Sequence, residues 1–295
     1  MFEPEKELSS GKDGPPPPRD RVVPAGLYDR EYFLSNCGGF REFLDSRGMR
    51  LPERLSVALE AAGIGPGMRV ADIGCGRGEA VIRSALAGAE ALGVDYSGDA
   101  IALAREAAAA LPPEAGARVN FVRADVAAAE LGEGVFDVVL MTDIVEHLYP
   151  KELSWALGKV LRALKPGGRL IVHTAPNIWY TRYGWVVLRR VIMLKEFLLR
   201  TGNRVPVIHP SMTGINEKVH VNLQSPRGLR RTLESAGFSG ISVFFRESGP
   251  LEGESAWNGV LNRLFLLPGL EAFFRLSIFA LARKPGPGPA RGEAL

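Results

Sequence analysis

The sequence predicts an α/β fold: a doubly wound, mostly parallel seven-stranded sheet that carries helical insertions. Segments with strand-like and helix-like patterns alternate along the chain, which is typical of a parallel sheet covered by helices on both faces. Polar residues also collect where several strand-like runs end, and ligands of open parallel sheets bind at that edge. The right-handed crossovers that join such strands leave few other topologies.

Seven short apolar or β-branched runs are predicted to be strands, and they cover residues 68–74, 90–96, 119–125, 136–142, 169–176, 239–248 and 276–285. The segments predicted to be helices from their periodicity cover residues 79–88, 98–112, 150–168 and 225–238. Glycine or proline ends most of these segments, for example Pro112 and Pro113 after the alanine-rich helix. Elements in this order predict the crossover units of a doubly wound sheet.

Composition describes an ordinary soluble globular protein, with 46% apolar and 23% charged residues among 295. A net charge of +3 gives no electrostatic footprint for nucleic acid, so no nucleic-acid partner is expected. Two cysteines, Cys37 and Cys75, suit a reducing compartment. The N-terminus is polar and no apolar run is long enough to span a membrane, so a cytoplasmic protein is expected. No sequence feature indicates an oligomeric state.

A glycine-rich loop, VADIGCGRGEA, follows the first predicted strand and places glycines at positions 74, 76 and 78. Glycine lets the backbone turn sharply and approach a ligand closely beside a helix N-terminus. A dinucleotide-binding loop would need glycine where Glu79 stands, and a phosphate-binding loop would need Gly-Lys-Ser/Thr. The loop alone is also compatible with a tight turn that has no ligand.

Three aspartates end successive predicted strands or precede the glycines, namely Asp72, Asp95 and Asp125. The carboxylate of Asp95 can accept both hydroxyls of a ribose, and that of Asp125 can accept an exocyclic amine of adenine. Asp72 lies where a positively charged ligand group would be stabilised. Each aspartate alone would more often be a helix cap or a loop residue, but their common position favours a nucleoside-like ligand.

Five motifs together resemble those of class I S-adenosylmethionine-dependent methyltransferases: VADIGCGRGEA, GVDYSGDAI, FVRADV, FDVVLMTDIVEHL and LKPGGRLIVHTAPN. The resemblance covers residues 66–177 and implies that the glycine loop holds the methionine moiety of S-adenosylmethionine. It also implies that Asp95 binds the ribose, that Tyr96 contacts the adenine ring, and that Asp125 and Val126 bind adenine. The cofactor contacts it predicts are Asp72, Gly74, Cys75, Gly76, Gly78, Asp95, Tyr96, Asp125, Val126 and Thr142.

The resemblance also predicts how the chain is organised around this Rossmann-like core. Residues 27–65 resemble the lid helices that precede the first strand in many small-molecule methyltransferases. Charged and proline-rich ends offer few apolar anchors and are expected to be disordered. In chain order we expect a disordered tail over 1–26, the lid over 27–65, the cofactor-binding core over 66–177, an apolar and basic cap insertion over 178–224, the rest of the sheet over 225–284 with a second apolar insertion over 257–274, and a disordered tail over 285–295.

The stretch FDVVLMTDIVEHLYP places Asp143, Glu146 and His147 directly after a buried strand. In one interpretation Asp143 caps a helix, Glu146 completes a capping box and His147 is merely exposed. In the other, the three side chains are catalytic residues at the lip of the substrate pocket. His147 would then accept a proton from a substrate hydroxyl, because its ordinary pKa lies near working pH.

The D-x-x-E-H spacing resembles the E-x-x-E-H run of ubiquinone-biosynthesis O-methyltransferases and small-RNA 2′-O-methyltransferases, in which the acids and histidine hold a divalent metal. Side chains at i, i+3 and i+4 share one helical face and can converge, and His220 is a candidate fourth ligand. A Mg²⁺ ion there would acidify and orient a hydroxyl. Aspartate at position 143 departs from the family pattern, so the metal is left open.

Two apolar insertions suggest what the protein contacts. Arg189, Glu196 and Arg200 form a narrow polar stripe on an otherwise apolar helix, which fits a peripheral membrane contact, a cap over the pocket, or burial in the core. The aromatic residues of the first insertion are candidates for lining a pocket: Trp179, Tyr180, Tyr183 and Trp185. Together with the insertion at 257–274, they favour a hydrophobic or lipid-linked acceptor.

The function predicted is transfer of a methyl group from S-adenosylmethionine to a small acceptor, with oxygen as the favoured target because a Glu-His pair suits hydroxyl deprotonation. One rival is an NAD-dependent oxidoreductase on a similar sheet, which Glu79 disfavours. Another is a catalytically silent, membrane-peripheral binding module. Cofactor titration separates the first rival from the methyltransferase.

Overall fold

The structure, a computed structural model, describes residues 23–126, 129–199, 205–246 and 256–286. Most of both predicted tails and Arg200 of the predicted polar stripe lie outside these residues. The described chain forms one seven-stranded sheet in the order β3-β2-β1-β4-β5-β7-β6. The strands are β1 Arg69–Ile73, β2 Glu90–Asp95, β3 Val119–Arg123, β4 Phe136–Thr142, β5 Leu164–Thr174, β6 Ser239–Phe244 and β7 Ile278–Arg283.

The predicted doubly wound, mostly parallel sheet is confirmed, with antiparallel pairing at one side. Strands β1 to β5 pair in parallel, whereas β7 lies antiparallel between β5 and β6. The strand order reverses between β1 and β4, and this switch point is where ligands of such sheets bind. The glycine loop and the Asp143–His147 stretch follow these two strands.

The helices have the bounds α1 Phe40–Ser46, α2 Glu53–Ala62, α3 Glu79–Leu86, α4 Gly98–Ala108, α5 Pro113–Gly116, α6 Pro150–Ala163, α7 Trp185–Leu199, α8 Ile215–Val219, α9 Pro226–Ser235, α10 Ala256–Phe265 and α11 Glu271–Phe274. Short 3₁₀ or π turns lie at Ala25–Leu27, Tyr32–Asn36, Val145–His147, Tyr180–Gly184 and Pro210–Met212. Ser97 and Ser225 cap α4 and α9 by accepting backbone N–H groups.

The helix after β4 begins later than a capping role for Asp143 requires. Pro150 occupies the first turn of α6, and the carboxylate of Glu152 accepts the N–H of Tyr149 at 3.0 Å. Only a single 3₁₀ turn, Val145–His147, separates Asp143 from this helix. The capping interpretation of Asp143 is therefore wrong, and so is the assumption that Asp143 and His147 share one helical face.

The core lies on both faces of the sheet, with β4 fully buried at its centre. Val138, Val139, Leu140 and Met141 have no exposed surface, which matches a near-continuous apolar run in a parallel strand covered on both sides. Burying side chains of this size contributes roughly 1.5–3 kcal/mol each. The rigid centre of the sheet thereby fixes the positions of the loops that follow β1 and β4.

The two apolar insertions pack against each other. Tyr180, Trp185 and Leu188 from the first form a buried cluster with Phe265 and Phe274 from the second. Their aromatic residues therefore form a small core of their own, and none of the four predicted pocket aromatics lines the cavity described below. Among the described residues, no helix is both long and apolar enough to cross a bilayer.

Candidate active site

One cavity of about 440 Å³ lies at the carboxyl ends of the strands around the switch point. Its walls come from the glycine loop, the ends of β2, β4 and β5, and the N-terminal segment that precedes α1. Of the predicted site residues all but Gly78 line it: Asp72, Gly74, Cys75, Gly76, Asp95, Tyr96, Asp125, Val126, Thr142, Asp143, Glu146, His147 and His220. Residues far apart in sequence thus share one cavity.

The glycines of the loop have different roles. Gly74 has a φ of 76°, and a Cβ there would come within 2.7 Å of Ile144, so the loop can lie against the segment after β4 only without a side chain. A Cβ on Gly78 would meet Phe121 at 2.9 Å and Ala104 at 2.9 Å. Gly78 therefore permits close packing of the loop and does not line the cavity, so its contact with the cofactor stays a prediction.

Asp95 connects the end of β2 to the glycine loop. Its carboxylate accepts the N–H of Gly76 at 3.0 Å and the N–H of Ser97 at 2.9 Å. Burial raises the pKa of Asp95 despite these hydrogen bonds. An aspartate held this firmly at a strand end can accept ligand hydroxyls without reorganising, and Tyr96, Asp125 and Val126 line the same part of the cavity.

Asp72 is a buried carboxylate beneath the loop, only 2% exposed. Its Oδ1 atom has no hydrogen-bond partner among the described residues. Burial, and then the negative charges of Glu79, Asp95 and Asp143, raise the pKa of Asp72 to about 8. A cationic group in the cavity would compensate this carboxylate, which fits the expectation of a positively charged ligand group nearby.

Asp143 has a φ of 56°, forms an ion pair with Arg54 and a hydrogen bond with His173, whose Nδ1 lies 2.6 Å from Oδ1. Burial alone would raise the pKa of Asp143, but Arg54 and His173 outweigh it and hold the pKa well below its usual range. Both carboxylate oxygens are thereby occupied. The prediction that Asp143 joins Glu146, His147 and His220 in one ligand cluster is wrong, because Arg54 and His173 hold its carboxylate instead.

Glu146, His147 and His220 form a cluster in which one ligand atom of each lies within 4.8 Å of the others. Glu146 accepts the hydroxyl of Thr174 at 2.8 Å. Burial, and then the charge of Asp143, raise the pKa of Glu146 to about 8. Oppositely, burial and the neighbouring His220 lower the pKa of His147 to about 4. The cluster is therefore a protonatable acid beside two imidazoles that are neutral near pH 7.

The N-terminal segment covers the cavity and contributes aromatic side chains to it. Tyr28, Tyr32 and Phe33 line the cavity, and the hydroxyl of Tyr28 lies 2.8 Å from Nδ1 of His147. Nδ1 of His147 also lies 3.1 Å from the carbonyl of Val219. The N-terminal segment that covers the cavity, called the cover below, therefore contacts the imidazole of His147 directly.

Arg77, which the sequence reasoning did not single out, holds this cover in place. Its guanidinium is buried and donates to the carbonyls of Phe33 at 2.6 Å and Gly38 at 2.9 Å. It also pairs with the buried carboxylate of Glu79 at 2.8 Å. The sequence feature that could have indicated this role is the oppositely charged pair Arg77 and Glu79 on either side of Gly78. Arg54, the partner of Asp143, gave no comparable signal because it lies on α2, far away in sequence.

The part of the chain that is similar to known proteins lies in the core of the sheet. Residues 70–168 match a family model described as a methyltransferase domain. A ubiquinone biosynthesis O-methyltransferase of Sinorhizobium medicae is 39% identical over 110 residues, which is 37% of this chain and 41% of that protein. A demethylmenaquinone methyltransferase of Thermus thermophilus is 28% identical over 173 residues, 58% of this chain and 74% of that protein.

The chain spans only about half the length of several curated proteins that it matches. Among solved structures, a geranyl diphosphate C-methyltransferase from Streptomyces coelicolor A3(2) superposes with a TM-score of 0.53 at 16% identity. That superposition covers 85% of this chain and 84% of the other. At this identity the likeness shows the shared fold.

Proposed function

We propose that this chain, which belongs to the class I S-adenosylmethionine-dependent methyltransferases, transfers the methyl group of S-adenosylmethionine to a small acceptor. The observation that carries the proposal is the cavity itself. At one part of its wall lie the glycine loop and Asp95, and at another lies the cluster of Glu146, His147 and His220. A cofactor bound at the first would have an acceptor site beside it at the second.

In this proposal the cofactor's polar groups meet the buried carboxylates. Asp95 accepts the ribose hydroxyls, while Asp125 and Val126 contact the adenine. The ammonium group of the methionine moiety lies near Asp72, whose Oδ1 otherwise lacks a partner among the described residues. A buried carboxylate without a partner costs free energy, and a cationic ligand removes that cost.

The chemistry then requires alignment and one proton acceptor. When bound, S-adenosylmethionine would supply an electrophilic methyl group to the acceptor's oxygen and would leave as S-adenosylhomocysteine, and the cavity would hold the two reactants together. The hydroxyl proton passes to His147, which is neutral near pH 7. Its pKa, lowered to about 4, makes it a weaker base than the ordinary imidazole that the sequence predicts. His147 remains oriented by its hydrogen bond with Tyr28. O-methylation is the favoured reaction because a neutral imidazole can accept the proton of an acceptor hydroxyl.

The acceptor is proposed to be a small hydrophobic hydroxyl compound. Three aromatic side chains of the cover, Tyr28, Tyr32 and Phe33, line the cavity and suit a flat or apolar ligand. Relatives named for ubiquinone and menaquinone methylation are consistent with such an acceptor. The first apolar insertion begins, and the second ends, a few residues from the cavity wall.

A divalent cation is a second candidate component of this site. Glu146, His147 and His220 would hold it, since a carboxylate and two neutral imidazoles are a suitable donor set and Nδ1 of His220 has no partner among the described residues. When bound, such a cation would lower the pKa of an acceptor hydroxyl. Titration of the protein with Mn²⁺, compared with His220→Ala, tests this by direct binding.

The proposed function is tested first by calorimetric titration with S-adenosylhomocysteine. We expect a dissociation constant in the micromolar range and no comparable binding of NADH. Transfer of labelled methyl groups from S-adenosylmethionine to a panel of phenols, quinols, amines and alcohols then identifies the acceptor class. Binding of NADH without S-adenosylhomocysteine would support the oxidoreductase instead. Cofactor binding with no transfer to any acceptor would support the silent binding module.

A further inference from the structure

Helix α7 exposes a continuous apolar face that nothing in the described chain covers. The side chains on it are between 44% and 78% exposed, and Phe197 is the most exposed of them. At about 100° of rotation per residue they fall within an arc of about 140° on the helix. The apolar side chains of this face, called the α7 face below, are Val186, Val187, Met193, Leu194, Phe197 and Leu198.

The α7 face is not the side of the helix that packs on the protein. Trp185 and Leu188 point to the opposite side and belong to the buried cluster with Phe265. Arg189 and Glu196, two residues of the predicted polar stripe, are only partly exposed. A helix in water normally turns its polar side outward, so an outward apolar face of this width marks a surface that binds something apolar.

The charge around the α7 face is mostly positive. Residues 178–199 and 256–275 contain six basic residues and two acidic ones, Glu196 and Glu271. Arg190 is exposed within the arc of the α7 face, and Arg182 and Arg263 are exposed elsewhere in the two insertions. Apolar side chains interspersed with arginine are typical of helices that lie in the headgroup region of an anionic bilayer.

The α7 face is also connected to the cavity. The first insertion starts just after Ala175, which lines the cavity, and the second ends just before Leu276 and Ser277, which line it too. The N–H of Asn177 donates to the carbonyl of Leu276 at 2.7 Å, so both insertions are anchored at the same place on the cavity wall. A surface that engages the α7 face therefore lies on the side of the molecule where the insertions leave the cavity.

We propose that α7 binds the surface of an anionic lipid bilayer, with the α7 face among the upper acyl chains and the nearby arginines at the phosphates. The helix lies in the plane of the interface, since no described helix is long and apolar enough to span a bilayer. Charge complementarity selects an anionic membrane over a second copy of this chain, whose corresponding surface would carry the same positive charge. The proposal does not depend on the methyl-transfer reaction.

Co-sedimentation of the purified chain with vesicles tests this proposal. We expect most of the protein to pellet with phosphatidylcholine–phosphatidylglycerol vesicles and to stay in the supernatant with phosphatidylcholine alone. The double variant L194E/F197E should reduce the partition coefficient at least about tenfold, because two charges enter the acyl region. R190E should weaken binding less, and its remaining binding should depend less on salt. The matched control L44E changes an exposed leucine outside the insertions and should bind like wild type.

Two outcomes would overturn the proposal. One is that the wild-type chain stays soluble with the anionic vesicles, or that L194E/F197E pellets as wild type does. The other is that light scattering finds a dimer in solution which L194E/F197E converts to a monomer, while neither form binds vesicles. In that case a second copy of the chain covers the α7 face. Circular dichroism of the double variant confirms that a loss of binding does not reflect unfolding.

Discussion

The hydroxyl of Tyr28 forms a 2.8 Å hydrogen bond with Nδ1 of His147, and this contact joins the start of the described chain to the end of β4. The carbonyl of Tyr28 also accepts the hydroxyl of Ser97 at 2.7 Å, next to Asp95. One residue of the cover therefore touches both the proposed ribose site and the proposed acceptor site. Because the Tyr28 contact occupies Nδ1 of His147, Nε2 is the nitrogen left for chemistry.

Replacing His147 by alanine should slow methyl transfer by about 10²- to 10⁴-fold, because the proton acceptor is lost. The dissociation constant for S-adenosylhomocysteine should change little, since the proposed cofactor contacts are other residues of the cavity wall. Single-turnover transfer and calorimetry measure the two quantities separately. Tyr28→Phe, which keeps the imidazole but removes its hydrogen bond, should be affected much less than His147→Ala. Full activity in His147→Ala would refute the assignment of His147 as the base.

Replacing Asp95 by alanine should weaken S-adenosylhomocysteine binding by about 1–3 kcal/mol, because buried ribose hydroxyls would lose a charged acceptor. Asp95→Asn should retain part of the affinity, since its amide oxygen can still accept a hydrogen bond. Asp45→Ala is the matched control, as Asp45 is an exposed aspartate that forms an ion pair with the exposed Arg50. Calorimetry measures all three, and an unchanged dissociation constant in Asp95→Ala would overturn the ribose assignment.

The sheet and the loops that line the cavity could be predicted from sequence because their signals are local. A buried parallel strand such as β4 is an uninterrupted apolar run, and the residues following it necessarily reach the carboxyl edge. The same rule placed Asp72, Asp95 and Asp125 around one cavity. The antiparallel direction of β7 has no such local signature, since it depends on how the long insertion returns to the sheet.

The parts that sequence could not predict depend on partners distant in the chain. Asp143 looked like a metal ligand by its spacing to Glu146, but Arg54 on α2 and His173 on β5 hold its carboxylate. Gly78 looked like part of the ligand loop, whereas its lack of a side chain serves packing against Phe121. In both cases a tertiary neighbour, which no local motif reveals, decides what the residue does.

Replacing Arg77 by leucine should destabilise the protein by about 3–5 kcal/mol, because Glu79 would be left as an uncompensated buried charge. The double variant R77L/E79L should recover part of this loss. Arg50→Leu is the control, since its exposed pair with Asp45 is worth at most about 1 kcal/mol. Urea denaturation gives the free energies of unfolding. A change in Arg77→Leu no larger than in Arg50→Leu would contradict a structural role for the buried pair.

The raised pKa of Asp72, about 8, predicts how cofactor affinity depends on pH. Below this pH Asp72 is protonated in the free protein, and a cationic ligand must displace that proton. The affinity for S-adenosylhomocysteine should therefore rise with pH, by up to about tenfold per unit between pH 6 and 8. Calorimetry in buffers of different ionisation enthalpy should detect the released proton. Asp72→Asn should bind more weakly and without this pH dependence; a wild-type slope in the variant would assign the proton to another group.

The same carboxylate makes the ligand-free protein less stable as pH rises. Asp72 ionises near pH 4 in the unfolded chain but only near pH 8 in the folded one, so the folded state binds the extra proton in between. Its contribution to stability is therefore greatest below pH 4 and is lost as pH approaches 8. Asp72→Asn, which keeps the shape without the charge, should be more stable than wild type at pH 8, with a smaller difference at pH 5. Thermal unfolding at the two pH values measures this, and equal differences at both would show that Asp72 is ionised throughout.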